Sequence, residues 1–366
     1  MIKSEKRYLL IDGREFVPSR LTGIGRVIMG FTDALQDRGV AYDTVLAVHD
    51  EGYVPPGLKN RSGIRFVKVG ASFLKSERRL SLLTREADLF ISPYPKLPVF
   101  GCSCRAVNMV HDVLDLTYPA YKRRIKTVFD RYRLKQGLIR ADLTWFVSEW
   151  SRQETEKLVG TCGSNPRVRY NGIDARFQPG MEEFMDDIIA GYGLSPGYIL
   201  VIGNGKPHKN LGVLLEISTS LSRKLVFTGV PDVNRRYWQK RYPDEEAVWI
   251  RHIQDKDLAS VIKGSFCVAQ PSTAEGYGYP PLEAMACGVP VIVSNIPVLI
   301  ETTSGNSLVA DTFNPASWID SFNRLEQEQL YKEYTVKGLE WIAPMIGSKG
   351  WKKHVADIRE LLMEGT

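Results

Sequence analysis

The sequence predicts an α/β fold made of two doubly wound domains, each a parallel sheet covered by helices. Three observations predict it: the chain length, a repeated order of short apolar strands and helical patterns, and a break in that order near the middle. A chain of 366 residues exceeds one typical domain. Short buried strands separated by helices are typical of parallel sheets. Ligands are then expected at the carboxyl ends of the strands.

The first half carries strand-like apolar runs that alternate with helical spacing. The first run, residues 8–11, leads through a glycine turn to a helical pattern at residues 27–35. The other runs of this half lie at residues 45–48, 89–91, 107–110 and 144–147.

The same order returns in the second half. A run at residues 198–202 precedes a helical pattern at residues 211–221, and further strand-like runs follow at residues 225–228, 248–250, 266–270 and 289–293. Between the halves, residues 175–196 are rich in Pro, Gly and acidic residues, which predicts a boundary. We therefore expect one domain over residues 1–178, a second over residues 179–345, and an amphipathic terminal helix within residues 346–366.

Charge and cysteine content narrow the class of protein. Residues 1–180 hold 30 Lys and Arg against 19 Asp and Glu, a net charge of +11, so the first half is expected to face an anionic partner. Random drift in charge between the two halves is the alternative.

Five cysteines without a CxxC pair predict neither a disulfide framework nor a zinc site. No apolar stretch approaches the roughly 18 residues of a membrane-spanning helix, and the start does not resemble a signal peptide.

Residues 121–140 form a basic helical segment with eight Lys and Arg and one acidic residue. A basic amphipathic helix favours contact with an anionic membrane surface, although a solvated helix face has the same pattern. No nucleic-acid recognition motif accompanies the charge, so nucleic acid is not expected as a partner. The candidate acceptor or membrane residues are Arg26, Lys122, Arg123, Arg124, Lys126 and Arg131.

Two features of the first half stand where ligands are expected. The stretch TGIGR, residues 22–26, lies between the first strand and a helix, and Gly23 and Gly25 there permit positive φ and close approach to a donor. An ordinary βα turn is an equal alternative, because the third glycine of a dinucleotide motif is missing. His111 follows a strand, where it can donate a hydrogen bond or carry a proton. A structural bond to Asp112 is the competing interpretation.

The second half begins with a candidate anion site. The strand at residues 198–202 runs into Gly203-Asn204-Gly205, and the cations Lys206, His208 and Lys209 precede a helical pattern. Glycines, cations and a helix start together favour phosphate, although the GxxxxGK[ST] pattern is absent. Asp255 and Asp257 form a DxD, but helix capping explains them better than a metal site.

The stretch EGYGYPPLE, residues 275–283, carries the strongest functional pattern. Its loop follows the strand at residues 266–270, and Pro281 suits the first turn of the next helix. Glu283 is expected within that turn and can accept hydrogen bonds from a ribose diol. Glu275 can do the same for a hexose. Backbone donors around Gly276, Tyr277 and Gly278 are expected to face a diphosphate, and helix capping by Glu283 leaves Glu275 unexplained.

These motifs resemble those of the family-four retaining glycosyltransferases, which have the GT-B fold. EGYGYPPLEAMACGVPVI resembles the Glu-x7-Glu signature, and TGIGR, His111-Asp112, VSEWS, VRYNGID and GNGKPHKNL resemble further family segments in the family order. The resemblance covers residues 22 to about 301. The chain departs from the family where many relatives carry an arginine in the phosphate turn, since His208 and Asn204 stand there.

The resemblance implies two Rossmann-like domains facing a central cleft, with the terminal helix crossing back to the N-terminal domain. It places the acceptor on the first domain and the nucleotide sugar on the second. It implies that Lys209 binds the diphosphate, Glu275 with Gly276–Gly278 the sugar, Glu283 the ribose, and that His111 contacts the transferred sugar. It also implies that neither a metal nor a cofactor is required. The catalytic candidates are His111, Glu275 and Lys209.

The expected function is transfer of a hexose, with GDP-mannose as the first expected donor, to a lipid-linked saccharide. Such an enzyme would act in surface polysaccharide or lipopolysaccharide assembly, on the cytoplasmic face of a membrane. A nucleotide-sugar epimerase or hydrolase of the same fold is one alternative. A non-catalytic nucleotide-sugar-binding protein is another, which the presence of all four key side chains disfavours.

Overall fold

In a computed structural model of the protein, the structure describes residues 8–18, 22–37, 42–121, 124–180 and 185–363, with only the backbone of residues 124–126. The chain divides into two compact units. Unit 1 comprises Met1–Gly172 and Gly347–Thr366, and unit 2 comprises Ile173–Ile346. The units therefore divide after residues 172 and 346, whereas the sequence pattern predicts boundaries after residues 178 and 345.

Unit 1 contains a parallel sheet of seven strands. The strands are β1 (Tyr8–Asp12), β2 (Asp43–Val48), β3 (Ile64–Lys68), β4 (Leu89–Ser92), β5 (Arg105–Val110), β6 (Leu143–Phe146) and β7 (Pro166–Val168), in the order β3-β2-β1-β4-β5-β6-β7. The central strands are fully buried, as the continuous apolar runs predict. The order reverses direction between β1 and β4, which is where a doubly wound sheet binds ligands.

The helices of unit 1 follow their strands along the chain. They are α1 (Gly23–Asp37), α2 (Pro56–Lys59), α3 (Phe73–Leu83), α4 (Leu114–Thr117), α5 (Arg124–Arg140), α6 (Glu149–Val159) and the last helix of the chain, α15 (Lys352–Met363). Leu134 and Leu138 of α5 pack in the core with Val110 and Phe146. Burial of such a side chain contributes about 1.5–3 kcal/mol.

Asp357 holds the terminal helix α15 in unit 1. Its carboxylate accepts hydrogen bonds from Arg167 (2.6 Å), from Arg169 (2.8 and 2.9 Å) and from Trp145 Nε1 (2.8 Å). Burial raises the pKa of Asp357, but the bonds from Arg169, Arg167 and Trp145 outweigh burial and lower it. This buried ion pair fixes the place of α15, since removal of one partner leaves an uncompensated charge.

Unit 2 repeats the architecture with a parallel sheet of six strands. The strands are β8 (Tyr198–Ile202), β9 (Leu225–Thr228), β10 (Ala247–Ile250), β11 (Ser265–Gln270), β12 (Val291–Ser294) and β13 (Leu308–Ala310), in the order β10-β9-β8-β11-β12-β13. This is the strand order of a dinucleotide-binding fold. Its reversal point lies between the neighbouring strands β8 and β11.

The helices of unit 2 lie before, between and after its strands along the chain. They are α7 (Met185–Gly191), α8 (Gly212–Leu215), α9 (Asp232–Arg241), α10 (Leu258–Lys263), α11 (Tyr279–Ala286), α12 (Pro297–Thr303), α13 (Pro315–Leu325) and α14 (Glu328–Ile342). Trp318 and Phe227 are fully buried in the core of unit 2. Among the residues described, no helix is long and apolar enough to cross a membrane.

Candidate functional site

The loops after β8 and β11 meet at the reversal point of the unit 2 sheet. Residues 203–210 follow β8, and residues 271–278 follow β11. The backbone N–H of Thr273 donates to the carbonyl oxygen of His208 at 2.8 Å, which ties the two loops together. The phosphate-turn motif and the Glu-x7-Glu motif, whose Lys209 and Glu275 are 66 residues apart in the sequence, therefore share one edge of the sheet.

An ion pair between Lys209 and Glu275 joins these loops. Lys209 Nζ lies 2.6 Å from Glu275 Oε1, and the two side chains are only 14% and 11% exposed. A pair this sheltered is screened weakly by salt. Lys209 is expected from the resemblance to bind a diphosphate and Glu275 a sugar, whereas in the structure the two side chains form an ion pair with each other.

Two further side chains donate to the same oxygen of Glu275. Gln270 Nε2 lies 2.7 Å and Ser272 Oγ 2.6 Å from Oε1, and Gln270 also donates to Ser272 Oγ at 2.8 Å. Both donors are buried. Three donors on Oε1 fix the carboxylate plane, while Glu275 Oε2 accepts no hydrogen bond from the described residues. Oε2 is therefore the oxygen that can accept a hydrogen bond from a hydroxyl group of a ligand.

The surroundings of Glu275 keep it ionised. Burial raises the pKa of this carboxyl, but the charge of Lys209 and the hydrogen bonds from Lys209 and Ser272 outweigh burial and lower it. Glu275 is thus a carboxylate acceptor at neutral pH. A proton-donating role does not fit a carboxyl group whose pKa is lowered.

The turn after β8 places Lys209 by means of backbone geometry. Gly205 has φ +64°, and a Cβ at this position would lie 2.7 Å from Val230 Cγ1. Its carbonyl oxygen accepts a hydrogen bond from Trp238 Nε1 at 2.9 Å. Lys206 is exposed, whereas His208 is buried and binds the second loop through its carbonyl oxygen. Gly203 lies against the Lys209 side chain, since an added Cβ would be 3.5 Å from its Cδ.

Helix α11 begins at Tyr279, two residues before Pro281, near which the sequence predicts its start. Gly278 is its N-cap, with φ +84°, and an added Cβ would lie 2.5 Å from Leu299 Cδ2. Because the helix begins at Tyr279, Glu283 is its fifth residue and lies beyond the first turn, so that expectation was wrong. Glu283 is 3% exposed. Tyr277 is buried and packs edge to face on Tyr279 with ring centroids 5.1 Å apart.

The carboxyl edge of the unit 1 sheet carries His111. Its Nε2 lies 3.0 Å from the carbonyl oxygen of Pro93, and its own carbonyl oxygen accepts a hydrogen bond from Ser151 Oγ at 2.8 Å. Asp112 instead accepts from the backbone N–H of Leu114. Burial lowers the pKa of His111 to about 4, although the Pro93 carbonyl opposes the shift. A neutral imidazole that donates through Nε2 presents Nδ1 as an acceptor.

Sequence reasoning missed an ionic cluster at the end of β1. Arg14 forms ion pairs with Asp12 at 2.7 Å and with Glu77 of α3 at 2.9 Å, and both carboxylates are buried. Burial lowers the pKa of Arg14, but the hydrogen bond and charge of Asp12 outweigh burial and raise it. The only signal in the sequence was DGRE directly after the first strand. Tyr94 Oη donates to Glu15 Oε2 at 2.9 Å beside this cluster.

Two family models match successive parts of the chain. The model for glycosyltransferase family 4 matches residues 21–177, and the model for glycosyl transferases group 1 matches residues 190–338. The chain belongs to the family-four glycosyltransferases. The two matches contain every residue that the sequence analysis assigned to donor binding or catalysis, and each match lies largely within one unit.

Curated relatives within this family match a little over half of the chain. O-antigen chain mannosyltransferase B of Escherichia coli is 30% identical over 221 residues, 57% of each chain. O-antigen chain mannosyltransferase RfbU of Salmonella typhimurium is 25% identical over 224 residues, 60% of each chain. The matched part thus spans less than two thirds of the length of either relative.

Solved structures establish the fold over nearly the whole chain. HepE from Anabaena, in complex with UDP-glucose, gives a TM-score of 0.77 at 14% identity and covers 97% of this chain and 99% of that chain. At this identity the likeness concerns the fold, which is the GT-B fold with two Rossmann-like domains. The expected family and fold class are confirmed.

The glycine loop of this family member is part of a helix. Gly23 and Gly25 begin α1, and neither has positive φ, so the expectation based on conformational freedom was wrong there. Thr22 caps the helix, with Oγ1 accepting from Gly25 N at 3.0 Å. An added Cβ on Gly23 would meet nothing within 4 Å. Gly23 therefore leaves open space beside the start of α1. Arg26 follows within the first turn and is half-buried.

The basic segment is partly outside the described residues. Lys122 and Arg123 lie outside them, as do the side chains of Arg124 and Lys126, whereas Arg131 is exposed on α5. Val128 and Tyr132 are exposed, while Leu134 and Leu138 are core residues. The sequence predicts that these four residues supply part of one apolar face, which is wrong because they divide between core and solvent.

The DxD motif lies at the start of α10. Asp257 is the N-cap residue, and its side chain accepts from Tyr192 Oη at 2.7 Å. The cap was expected at Asp255, which was wrong because the helix begins only at Leu258. Over the ranges that the structure describes, no group of three or more His, Cys, Asp or Glu side chains could hold a metal ion.

Proposed function

We propose that this chain is a retaining hexosyltransferase that moves a hexose from a nucleotide-diphosphate sugar to a saccharide acceptor. The observation that carries the proposal is the buried Lys209–Glu275 pair at the reversal point of the unit 2 sheet. It brings an ammonium group and an ionised carboxylate to the edge where such a sheet binds nucleotides. Membership of the family-four glycosyltransferases supports the proposed transferase activity.

The donor is assigned to unit 2 residue by residue. Lys209 and the start of α11 bind the diphosphate, Glu275 Oε2 accepts hydrogen bonds from hydroxyl groups of the hexose, and Glu283 binds the ribose. Loop residues Gly276–Gly278 line the same edge. GDP-mannose is the first donor to test, because two curated relatives are named as mannosyltransferases. His111 contributes a neutral hydrogen-bond partner for a sugar hydroxyl.

Transfer breaks the bond between the anomeric carbon and the leaving diphosphate oxygen. The transition state has oxocarbenium character, so charge on the leaving group is the main electrostatic demand. Lys209 and the N–H groups at the start of α11 stabilise that charge. The acceptor hydroxyl forms the new bond on the same face, and its proton goes to the departing phosphate oxygen. No carboxylate is assigned the role of a covalent nucleophile in this proposal, because Glu275 is placed on the hydroxyl side of the hexose.

The acceptor is a lipid-linked saccharide of a surface polysaccharide or lipopolysaccharide, and the chain works at the cytoplasmic face of a membrane. The basic first half supports this part, as do the O-antigen functions in the names of the relatives. No metal ion or cofactor is required in this proposal.

A donor and acceptor screen tests the proposal. Purified protein is incubated with GDP-mannose, UDP-glucose and other nucleotide sugars, with and without a lipid-linked saccharide, in the presence of EDTA. Acceptor-dependent release of nucleoside diphosphate is the expected result, and NMR of the product is expected to show a retained anomer. Release without acceptor would indicate a hydrolase, and donor binding without turnover would indicate a binding protein. An inverted anomer would contradict retention.

A further inference from the structure

The outer face of α3 exposes large apolar side chains. Leu74 is 63% exposed, and Phe73 and Leu82 are also exposed, although the opposite face of the helix packs Leu80 into the core. Phe100, from the loop between β4 and β5, is 55% exposed beside them. Together with cations they line a cavity of about 640 Å³, here called the α3 surface, formed by Leu74, Lys75, Arg78, Ser81, Leu82, Arg85 and Phe100.

The cations of this surface have no acidic partners. Within the part of the chain that the structure describes, none of Lys75, Arg78 and Arg85 forms an ion pair, and no carboxylate lines the cavity. Glu77 lies on the same helix but is buried on the other side, where it binds Arg14 and the backbone N–H of Val99. Arg79 adds a further exposed cation on α3 without an ion pair among described residues.

The loop that carries Phe100 is held rigidly against α3. Ser81 Oγ donates to the carbonyl oxygen of Gly101 at 2.5 Å, and Glu77 Oε2 accepts from Val99 N at 2.8 Å. Phe100 is therefore exposed on a loop whose position is fixed by hydrogen bonds to α3. A rigid apolar tip loses little conformational entropy when it enters another phase.

Helix α5 extends the apolar area. The Arg133 guanidinium lies over the Phe73 ring at 5.8 Å from its centroid, and Arg133 Nη2 donates to the carbonyl oxygen of Leu97 at 3.3 Å. Phe129 is exposed and lies four residues before Arg133, on the same side of α5. Arg133 thus joins α5 to the exposed Phe73 of α3.

We propose that the α3 surface docks on an anionic lipid bilayer, with Leu74 and Phe100 entering the acyl boundary and Lys75, Arg78 and Arg85 contacting lipid phosphates. Apolar tips surrounded by cations are the pattern of peripheral membrane binding. A second copy of the chain fits poorly, because a two-fold contact brings a surface lined by three cations and no carboxylate against an identical surface. An anionic bilayer complements both the charge and the apolar tips.

This inference deepens the membrane part of the proposed function by naming the surface, which sequence reasoning did not identify. It does not depend on the transferase activity. Transfer to a soluble saccharide acceptor remains unchanged in variants of the α3 surface, so a failure of docking and a failure of the proposed function are distinguishable.

Vesicle flotation of the full chain tests the docking. Vesicles of phosphatidylcholine, with or without about one third phosphatidylglycerol, are compared at low and high salt. Binding is expected only to the anionic vesicles. Leu74→Ser and Phe100→Ser are each expected to lower the partition coefficient about tenfold, and Arg78→Glu at least about fivefold.

Helix α9 of unit 2 provides matched controls. Val233 and Lys240 are exposed there, so Val233→Ser and Lys240→Glu make the same chemical changes outside the α3 surface. These variants are expected to bind vesicles like the wild type. Thermal unfolding checks that every variant is folded. Equal loss in the α9 and α3 variants would overturn the proposal, as would wild-type binding by Leu74→Ser and Phe100→Ser. A dimer that Leu74→Ser dissociates, in the absence of vesicle binding, would assign the surface to a second copy.

Discussion

The two parallel sheets of this chain offer ligands opposite kinds of chemistry at their carboxyl edges. In unit 2 the edge holds an ion pair whose carboxylate, Glu275, is kept charged by Lys209 and two neutral donors. In unit 1 the corresponding edge presents His111, whose pKa burial lowers to about 4, so its ring is neutral at physiological pH. Charged groups there, such as Arg14, are already paired with buried carboxylates.

This difference agrees with the proposal that the two edges bind different parts of the substrates. A diphosphate leaving group requires fixed positive charge, and the unit 2 edge combines the sheltered cation Lys209 with the start of α11. A saccharide hydroxyl requires neutral hydrogen-bond partners, which the His111 edge supplies. If Lys209 binds the donor as proposed, its ammonium group turns partly from Glu275 toward the phosphate when the donor binds.

The largest effect is expected when the charge of the unit 2 edge is removed. Lys209→Met keeps the length of the side chain but leaves Glu275 buried without its cation. The change is expected to lower kcat/KM by about 10²–10³, the usual cost of one donor at a developing anion. Steady-state kinetics with the identified donor measure it.

Lys224 is a matched control for that change. It is exposed immediately before β9, at the opposite end of the same sheet, and Lys224→Met should leave kcat/KM unchanged. Similar activity in the two variants would show that the unit 2 edge does not act through the Lys209 charge.

A smaller effect is expected from the neutral donors on Glu275. Gln270→Leu and Ser272→Ala each remove one of three hydrogen bonds to Oε1, so the pKa of Glu275 should rise toward its ordinary value. Because the carboxylate is the active form, the acid limb of the pH–rate profile should move to higher pH. A fall in kcat of about tenfold is expected from the loss of one bond to a charged group.

Ser265→Ala separates this positioning effect from simple destabilisation. Ser265 is buried at the amino end of the same strand, where its hydroxyl donates to the carbonyl oxygen of Ile262. Its removal should lower the free energy of unfolding without moving the acid limb. An acid limb that also stays fixed in Gln270→Leu and Ser272→Ala would refute the role of these donors.

The sequence predicted the central strands of both sheets and missed three edge strands. The continuous apolar runs at β1, β5, β8 and β9 are buried on both faces, which makes their pattern plain. The missed strands β3, β7 and β13 end their sheets and are short or half-exposed, so they carry fewer apolar residues. Edge strands have weaker sequence signals because only part of their surface is covered.

Prediction of the candidate site from the sequence is limited in the same way, because contacts between distant residues depend on the fold. Lys209 and Glu275 could be placed at strand ends from the sequence, but their ion pair depends on β8 and β11 being neighbours. Gln270 and Ser272 carry no motif of their own, and their role appears only through distances to Oε1. The exposure of Leu74 and Phe100 likewise depends on tertiary packing that local periodicity does not specify.

The smallest expected effect concerns pH and stability, and it again contrasts the two units. His354 of α15 lies in the unit 1 core, between Trp145 and Trp351 at ring distances of 4.8 and 4.9 Å. Neither ring nitrogen has a hydrogen-bond partner among the described residues. Burial lowers the pKa of His354 to about 3, with the charge of Asp357 raising it and that of Arg169 lowering it further. The unfolded chain therefore takes up a proton near pH 6.5 that the folded unit excludes.

The sign of the effect follows from that uptake. Between pH 6.5 and the lowered pKa, the unfolded state binds more protons, so the free energy of unfolding falls as pH decreases, by up to about 1.4 kcal/mol per pH unit for this residue. Glu275 acts differently, since its lowered pKa gives stability that is lost only when pH falls through that lower value. His354→Leu should make the acid dependence shallower by that amount, as measured by urea unfolding at pH 7 and pH 5.5. His252→Gln, an exposed change in unit 2, is the control. Parallel pH dependence in wild type and His354→Leu would mean that His354 also takes up a proton in the folded state. The core of unit 1 would then hold a charged imidazole, unlike the neutral ring expected for His111 at its carboxyl edge.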